Sequence, residues 1–201
     1  MAFYYPDKEE PWDILCGSSF LGNFYPQEEV LWLTAYSTER KFQNAEAAFQ
    51  ALKFWPQADR FEGSTGDEAF RLKQQLKGQE DWTYGGYGSN WKGMDAVLRA
   101  KFKPGSSLAS ALLETGDAFL LEHNSRQGRD SVWSDNMDGT GTNWLGLQLM
   151  LLREELTPNS TVSWTEWLQA HVDIGTGKPQ TSEWQAAVLA AATAVQQQIV
   201  A

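Results

Sequence analysis

Asn44-Ala-Glu-Ala-Ala-Phe-Gln-Ala-Leu-Lys-Phe54, followed by Trp55-Pro56, is the stretch on which the reading of the chain turns. It predicts one short helix. Asn44 suits the cap at its start, and Pro56 pushes Trp55 out of helical geometry and ends the run. On that helix Glu46, Gln50 and Lys53 fall at i, i+4 and i+7 and share a face. The other positions, from Ala45 to Phe54, are small or apolar. A carboxylate, an amide and an amine on a helix otherwise made for burial can line a polar pocket. They can equally form an exposed stripe, and periodicity alone leaves both readings open.

Working outward, Phe3 to Tyr25 reads as loop with a short strand or two, and Val30 to Tyr36 as a strand rich in Val, Trp and Thr. Helices are expected over Asp67 to Leu76, over Trp91 to Phe102 and from Ser106 or Ser107 to Leu113, with Gly116 past the end of the last. Trp82 to Asn90 holds too many glycines for a regular element. Phe119 to Glu122 predicts a short buried strand. His123 to Thr142 is a long polar loop, and such a segment inside a compact domain is usually functional. Leu145 to Leu156 reads as a central helix, apolar nearly all round.

After Thr157-Pro158 the character changes. Ser163-Trp-Thr-Glu166 is a capping box opening a short helix, Asp173 to Pro179 is loop, and Trp184 to Val200 is a final helix rich in Ala and Gln. The expected fold is α+β and predominantly helical, a compact domain over residues 1–156 with a small β-sheet. Residues 157–201 form a C-terminal helical extension packed on it.

A net charge of −10 argues against broad binding to a nucleic-acid backbone, although a short single strand remains admissible as a partner. One cysteine, Cys16, excludes an intrachain disulfide and a cysteine-based zinc cluster, and two histidines are too few for a histidine-rich metal site. No metal and no cofactor are expected. The first residues lack a basic segment followed by an apolar one, and the longest apolar run is far short of a membrane span. The expected location is cytoplasmic. Asn159-Ser-Thr161 matches a glycosylation sequon, which carries no weight at that location. Ten tryptophans are many for 201 residues, and some are expected to line a concave site.

Two further islands could carry chemistry. In Asp130-Ser-Val-Trp133-Ser-Asp135 through Gly141-Thr-Asn143-Trp-Leu-Gly146, glycines let backbone N–H groups converge before a helix start, where an anion is favoured. An ordinary loop and helix start would look the same. Asp135 beside Trp133 is a candidate acid or base, because an indole wall disfavours the charged carboxylate; most such Asp residues merely cap turns. Glu122 could touch a ligand or hold loop amides. His123 reads as a surface or loop-bonding residue. In Phe20-Leu-Gly22-Asn23-Phe24, an amide between aromatics can read the edge of a flat ring, or the segment can simply close the core.

Taken in order, these islands resemble the NADAR, or YbiA-like, family. The matching pieces are Phe20 to Phe24, Ala45-Glu46 through Gln50 and Lys53-Phe54, and Trp91 with Val97 to Phe102. Leu108 to Thr115, Leu121-Glu122, Asp130 with Trp133 and Asp135, and Gly141 to Gly146 running into Arg153 complete the set. The resemblance covers about residues 18 to 156. It implies an N-glycosidase that hydrolyses ribosyl C–N bonds, some relatives removing ADP-ribose from guanine bases and others acting on N-ribosyl intermediates of riboflavin synthesis. ADP-ribose or an ADP-ribosylated nucleobase is then the expected ligand, and removal of ADP-ribose from guanine the leading expectation. The riboflavin intermediates, or a module that binds ADP-ribose without cutting it, are the alternatives. Glu46, Lys53 and Asp135 take the catalytic positions. Phe20, Gly22, Asn23, Phe24, Gln50, Trp91, Glu122, Trp133, Gly141 and Asn143 take the substrate-binding ones. The chain departs from the family at Ala47, where many members carry His, at Ser134, where Gly is frequent, and in the neutral Trp82 to Asn90 loop, where many relatives are basic. The expected centre has Glu46, Gln50 and Lys53 turned inward and facing Asp135 across a tryptophan-walled cavity.

Overall fold

The computed structural model describes residues 1–157 and 164–200. In chain order the elements are β1 (Ala2–Phe3), α1 (Pro11–Cys16), β2 (Leu31–Ala35), β3 (Thr38–Phe42), α2 (Ala45–Ala51), α3 (Gly66–Gln75), α4 (Asn90–Lys101), α5 (Ser107–Glu114), β4 (Leu121–Glu122), α6 (Trp144–Leu156), α7 (Trp164–His171), β5 (Val172–Asp173), β6 (Lys178–Pro179) and α8 (Ser182–Val200). Short 3-10 turns cover Ser19–Leu21 and Trp55–Phe61. The fold is mostly helical, with three separate two-stranded pairs among the described residues. The Ser163 capping box and the Asn159 sequon lie outside them.

Contacts divide the chain into two compact units. One holds residues 1–4, 9–22 and 109–201; the other holds 5–8 and 23–108. The second unit is built on α2, which packs against α3, α4 and the β2–β3 hairpin. Asn44 caps α2 as expected, its Oδ1 accepting from Ala47 N–H at 2.8 Å. The helix is shorter than its periodicity suggested. It ends at Ala51, Leu52 forms the C-cap, and Lys53 N–H turns back to the Gln50 carbonyl at 3.0 Å. All seven helical residues are buried, so α2 is a core helix rather than a surface one.

The expected strand at Val30–Tyr36 is present as Leu31–Ala35, but its hairpin partner β3 was not foreseen. The two strands run antiparallel from Leu31↔Phe42 to Ala35↔Thr38. The turn between them is Tyr36-Ser37, both with positive φ (47° and 63°). That turn normally selects Gly, Asn or Asp, so Tyr-Ser gave no sign of it. Tyr36 is held instead by its hydroxyl, which donates to Asp81 Oδ2 at 2.7 Å.

In the first unit, β1 pairs in parallel with β4 (Ala2↔Leu121, Phe3↔Glu122). The segment read as loop between Phe3 and Tyr25 contains α1. Pro11 occupies its first turn, where a missing N–H costs nothing, and Asp13 Oδ2 accepts from Glu10 N–H at 2.9 Å. Six residues are too few to show a helical period. Residues 173–179, expected as loop, close the small β5–β6 hairpin. α6 is buried on most of its surface, as its composition suggested. α7 packs on α6 and α8, and α8 also meets α1 and β4. Trp184, Val188 and Ala192, one helical turn apart, form the buried stripe of α8.

Candidate active site

The polar face of α2 is buried. Glu46, Gln50 and Lys53 are 7%, 5% and 7% exposed. Burying three polar side chains together is tolerable only if they satisfy one another, and they do so in a line. Gln50 Nε2 donates to Glu46 Oε1 at 2.7 Å, and Lys53 Nζ donates to Gln50 Oε1 at 2.8 Å. Helical spacing brings Glu46 to Gln50, and the tightening of the chain after Ala51 brings Lys53 onto the same face.

Two aromatic rings complete the surroundings of the amine. Lys53 Nζ lies 4.9 Å from the centroid of Phe49 and 5.7 Å from that of Tyr84. The two rings stack at 5.6 Å. Burial, aided by repulsion from Lys73 and opposed by Glu46 and Glu80, lowers the Lys53 pKa to about 8. An amine so placed is neutral in a useful fraction of molecules at mildly alkaline pH. That is the condition for nucleophilic attack.

Tyr84 was missed in the sequence because it sits in the glycine-rich loop. That loop is tied down. Asp81 N–H donates to the Lys53 carbonyl at 2.7 Å, and Asp81 side-chain oxygens accept from Thr83 N–H at 2.8 Å and Gly85 N–H at 3.1 Å. Gly85 has φ +65°, and a Cβ there would lie 2.8 Å from the Ala35 Cβ, so only glycine lets the loop lie on the hairpin. An aromatic beside paired glycines was the available sign.

Asn23 belongs to the same unit. Its carbonyl accepts from Glu46 N–H at 2.9 Å, one of the orphan donors in the first turn of α2. Its side-chain Oδ1 is buried with no hydrogen-bond partner among the described residues. Phe24 packs on the start of α3, where Gly66 leaves it room. Trp91, in the first turn of α4, is buried.

Phe20, Gly22, Glu122, Trp133, Asp135, Gly141 and Asn143 belong to the other unit. Asp135 is fully buried. Its Oδ2 lies 2.5 Å from His123 Nδ1, and its Oδ1 accepts from Asn124 N–H at 3.0 Å and Met137 N–H at 2.7 Å. Its carbonyl takes the N–H groups of Gly139 and Gly141, at 2.9 and 3.0 Å. His123 is buried with an edge of Trp12 against it, so it bonds the loop rather than the solvent. Asn143 Oδ1 accepts from Glu122 N–H at 2.9 Å, and its Nδ2 donates to the Leu120 carbonyl at 2.9 Å, which clamps the start of α6 to β4. A Cβ on Gly141 would lie 2.2 Å from the Ser134 carbonyl oxygen. Trp133 meets Trp144 edge-on at 5.4 Å.

The sequence admits either an anion site or an ordinary helix start at Trp144. Trp144 N–H and Leu145 N–H donate to the Val132 and Trp133 carbonyls, both at 3.1 Å. The loop supplies its own acceptors. α8 holds the same loop from its C-terminal side: Trp184 Nε1 donates to the Thr142 carbonyl at 2.8 Å, and Gln196 Nε2 to the Met137 carbonyl at 2.8 Å. Gln185 Nε2 donates to the Gly139 and Gly141 carbonyls. Among the described residues no group of three or more His, Cys, Asp or Glu could hold a metal ion, and no helix is long and apolar enough to cross a membrane.

Residues 3–157 match the NADAR domain, and the chain belongs to the NADAR family. A riboflavin biosynthesis protein of Vibrio vulnificus is 30% identical to it over 170 residues, 84% of this chain and 41% of that protein. The N-glycosidase YbiA of Escherichia coli is 42% identical over 72 residues, 33% of this chain and 43% of that protein. The chain therefore spans less than half the length of these curated relatives. The NMR structure of E. coli YbiA is similar at a TM-score of 0.53 and 28% identity, covering 68% of this chain and 77% of that one.

Proposed function

We propose that the chain is an N-glycosidase that cleaves ribosyl C–N bonds, with the ribosylated pyrimidines of riboflavin synthesis as its substrates. The observation that carries this reading is the buried line Glu46–Gln50–Lys53, with an amine whose pKa is lowered to about 8. Breaking the C–N bond builds positive charge at C1 of the sugar, which the Glu46 carboxylate stabilises. The neutral Lys53 amine adds to C1 as the bond to the base breaks, and one amine proton leaves with the base. Transfer of the second amine proton to the ring oxygen opens the sugar and leaves an imine between C1 and Nζ. Water then adds to C1, releasing the free sugar and restoring the amine. The unpartnered Oδ1 of Asn23 is suited to accept an N–H of the leaving base. Asp135, engaged by His123 and two amides, serves to hold its loop in shape.

Removal of ADP-ribose from guanine, the leading expectation from sequence, draws less support. The relative that matches 84% of this chain bears the name of a riboflavin biosynthesis protein, and a net charge of −10 disfavours a polyanionic substrate. The test is to incubate the protein separately with a ribosylaminopyrimidine and with an oligonucleotide carrying ADP-ribosyl guanine, and to follow released base and sugar. Release from the pyrimidine is expected. Release from the oligonucleotide alone would restore the ADP-ribose reading, and release from neither would leave a binding module.

A further inference from the structure

We infer that Gln50 is a positioning residue for the attacking amine, an amide relay that joins Lys53 to Glu46 and aims the nitrogen lone pair. This rests on the role proposed above for Lys53. The family motif assigned Gln50 to substrate, yet both ends of its amide are in use inside the protein. Nε2 donates to Glu46 Oε1 at 2.7 Å, and Oε1 accepts from Lys53 Nζ at 2.8 Å. The amide can stand only one way round, because an ammonium or amine offers N–H here and a carboxylate offers only lone pairs. All three side chains are more than nine-tenths buried, so water is a poor competitor for these bonds.

Two consequences follow from the chemistry of an amide at this place. When Lys53 loses a proton, one remaining N–H stays fixed on Gln50 Oε1, so the lone pair is kept off that oxygen and takes one of the two directions left to it. The amide also offers the ammonium an acceptor without a full negative charge. The charged groups that act on Lys53 are Lys73 on α3, Glu46 on α2 and Glu80 in the segment after α3. A second carboxylate at position 50, directly against Nζ, would hold the amine protonated. It would also set a like charge one helical turn from Glu46. A neutral hydrogen-bonding residue is the choice that keeps the amine both placed and reactive.

The test uses the full chain, with Gln50→Glu and Gln50→Met. Lysines are labelled sparingly with formaldehyde and cyanoborohydride between pH 6 and 11, and the extent at Lys53 is read by peptide mass spectrometry. The wild-type midpoint is expected near pH 8. Gln50→Glu should raise it by about one pH unit or more, which is about fivefold less labelling at pH 8 or a greater loss. Gln50→Met, which is of similar size and leaves the ammonium without its acceptor, should lower it. The acid limb of the pH–rate profile should move with the midpoint in both variants; loosening of the fold would solvate Lys53 and raise the midpoint in each, so the fall in Gln50→Met is the change that loosening would not produce. Folded variants whose midpoints stay at the wild-type value would overturn the inference, as would a wild-type midpoint near that of a solvated lysine. If Gln50→Glu fails to fold, Gln50→Met and the wild-type midpoint decide. Labelling requires no turnover, so a protein that releases no sugar would defeat the proposed function while the relay is still measured.

Discussion

His123 Nδ1 and Asp135 Oδ2 lie 2.5 Å apart, with both side chains buried in the first unit. Two amide N–H groups, from Asn124 and Met137, complete the ring of donors around the carboxylate. Removing one partner of such a set leaves the others unsatisfied in a place water does not reach. Asp135→Ala should therefore cost about 3–5 kcal/mol of stability, measured by urea unfolding. Unchanged stability combined with lost turnover would return Asp135 to the chemistry.

Glu46 carries the opposite expectation. In Glu46→Gln the side chain keeps its shape and can still bond to Gln50, so the fold should hold. Turnover should fall on the order of 10²–10⁴-fold, because the charge that stabilises C1 is gone. Ligand affinity, followed by calorimetry with a product sugar, should change little. A variant that keeps full turnover would exclude Glu46 from the reaction.

Lys53 also makes stability depend on pH. Its folded pKa of about 8 lies below the ordinary lysine value of 10.5. Between the two, the unfolded chain binds a proton that the folded chain does not, so this group makes the protein more stable as pH rises through that window. Below pH 8 its full burden on stability is present. Lys53→Met should remove this part of the pH dependence, and unfolding free energies at pH 7 and pH 9.5 should then lie closer together than in the wild type. An unaltered difference would mean that Lys53 titrates like a solvated lysine.

The extension after residue 157 lies outside the part of the chain that matches the family domain, yet α8 grips the glycine loop through Trp184, Gln185 and Gln196. Each carbonyl it satisfies would otherwise need water. Gln185→Ala with Gln196→Ala should raise amide exchange in residues 137–142 with a stability loss of about 1–3 kcal/mol. Exchange confined to α8 would show that the loop stands without it.

The elements that could be read in the sequence are those with a long period or a recognisable end. α4 and α6 fall within a residue of their expected limits, and Asn44 caps α2 as its side chain suggests. α1 escaped notice because six residues cannot display a period, and β3 because a Tyr-Ser turn carries none of the usual marks. The line from Glu46 to Lys53 was visible because its members lie within one segment, where spacing fixes geometry. Asp135, Asn143 and Gly141 were different. Their partners stand up to 44 residues away in sequence, and residue type alone does not separate a buried clamp from a reacting group. Tyr84 was hidden for a related reason, since its place beside Lys53 depends on how Asp81 and Gly85 fold the loop back.

The measurement that bears most directly on Lys53 is reductive trapping. The protein is turned over with a ribosylaminopyrimidine in the presence of borohydride, digested, and its peptides weighed. A reduced sugar adduct on the peptide containing Lys53, lost in Lys53→Met together with turnover, is the predicted result. Continued turnover with Lys53 unmodified, or a Lys53→Met protein as fast as the wild type, would contradict it.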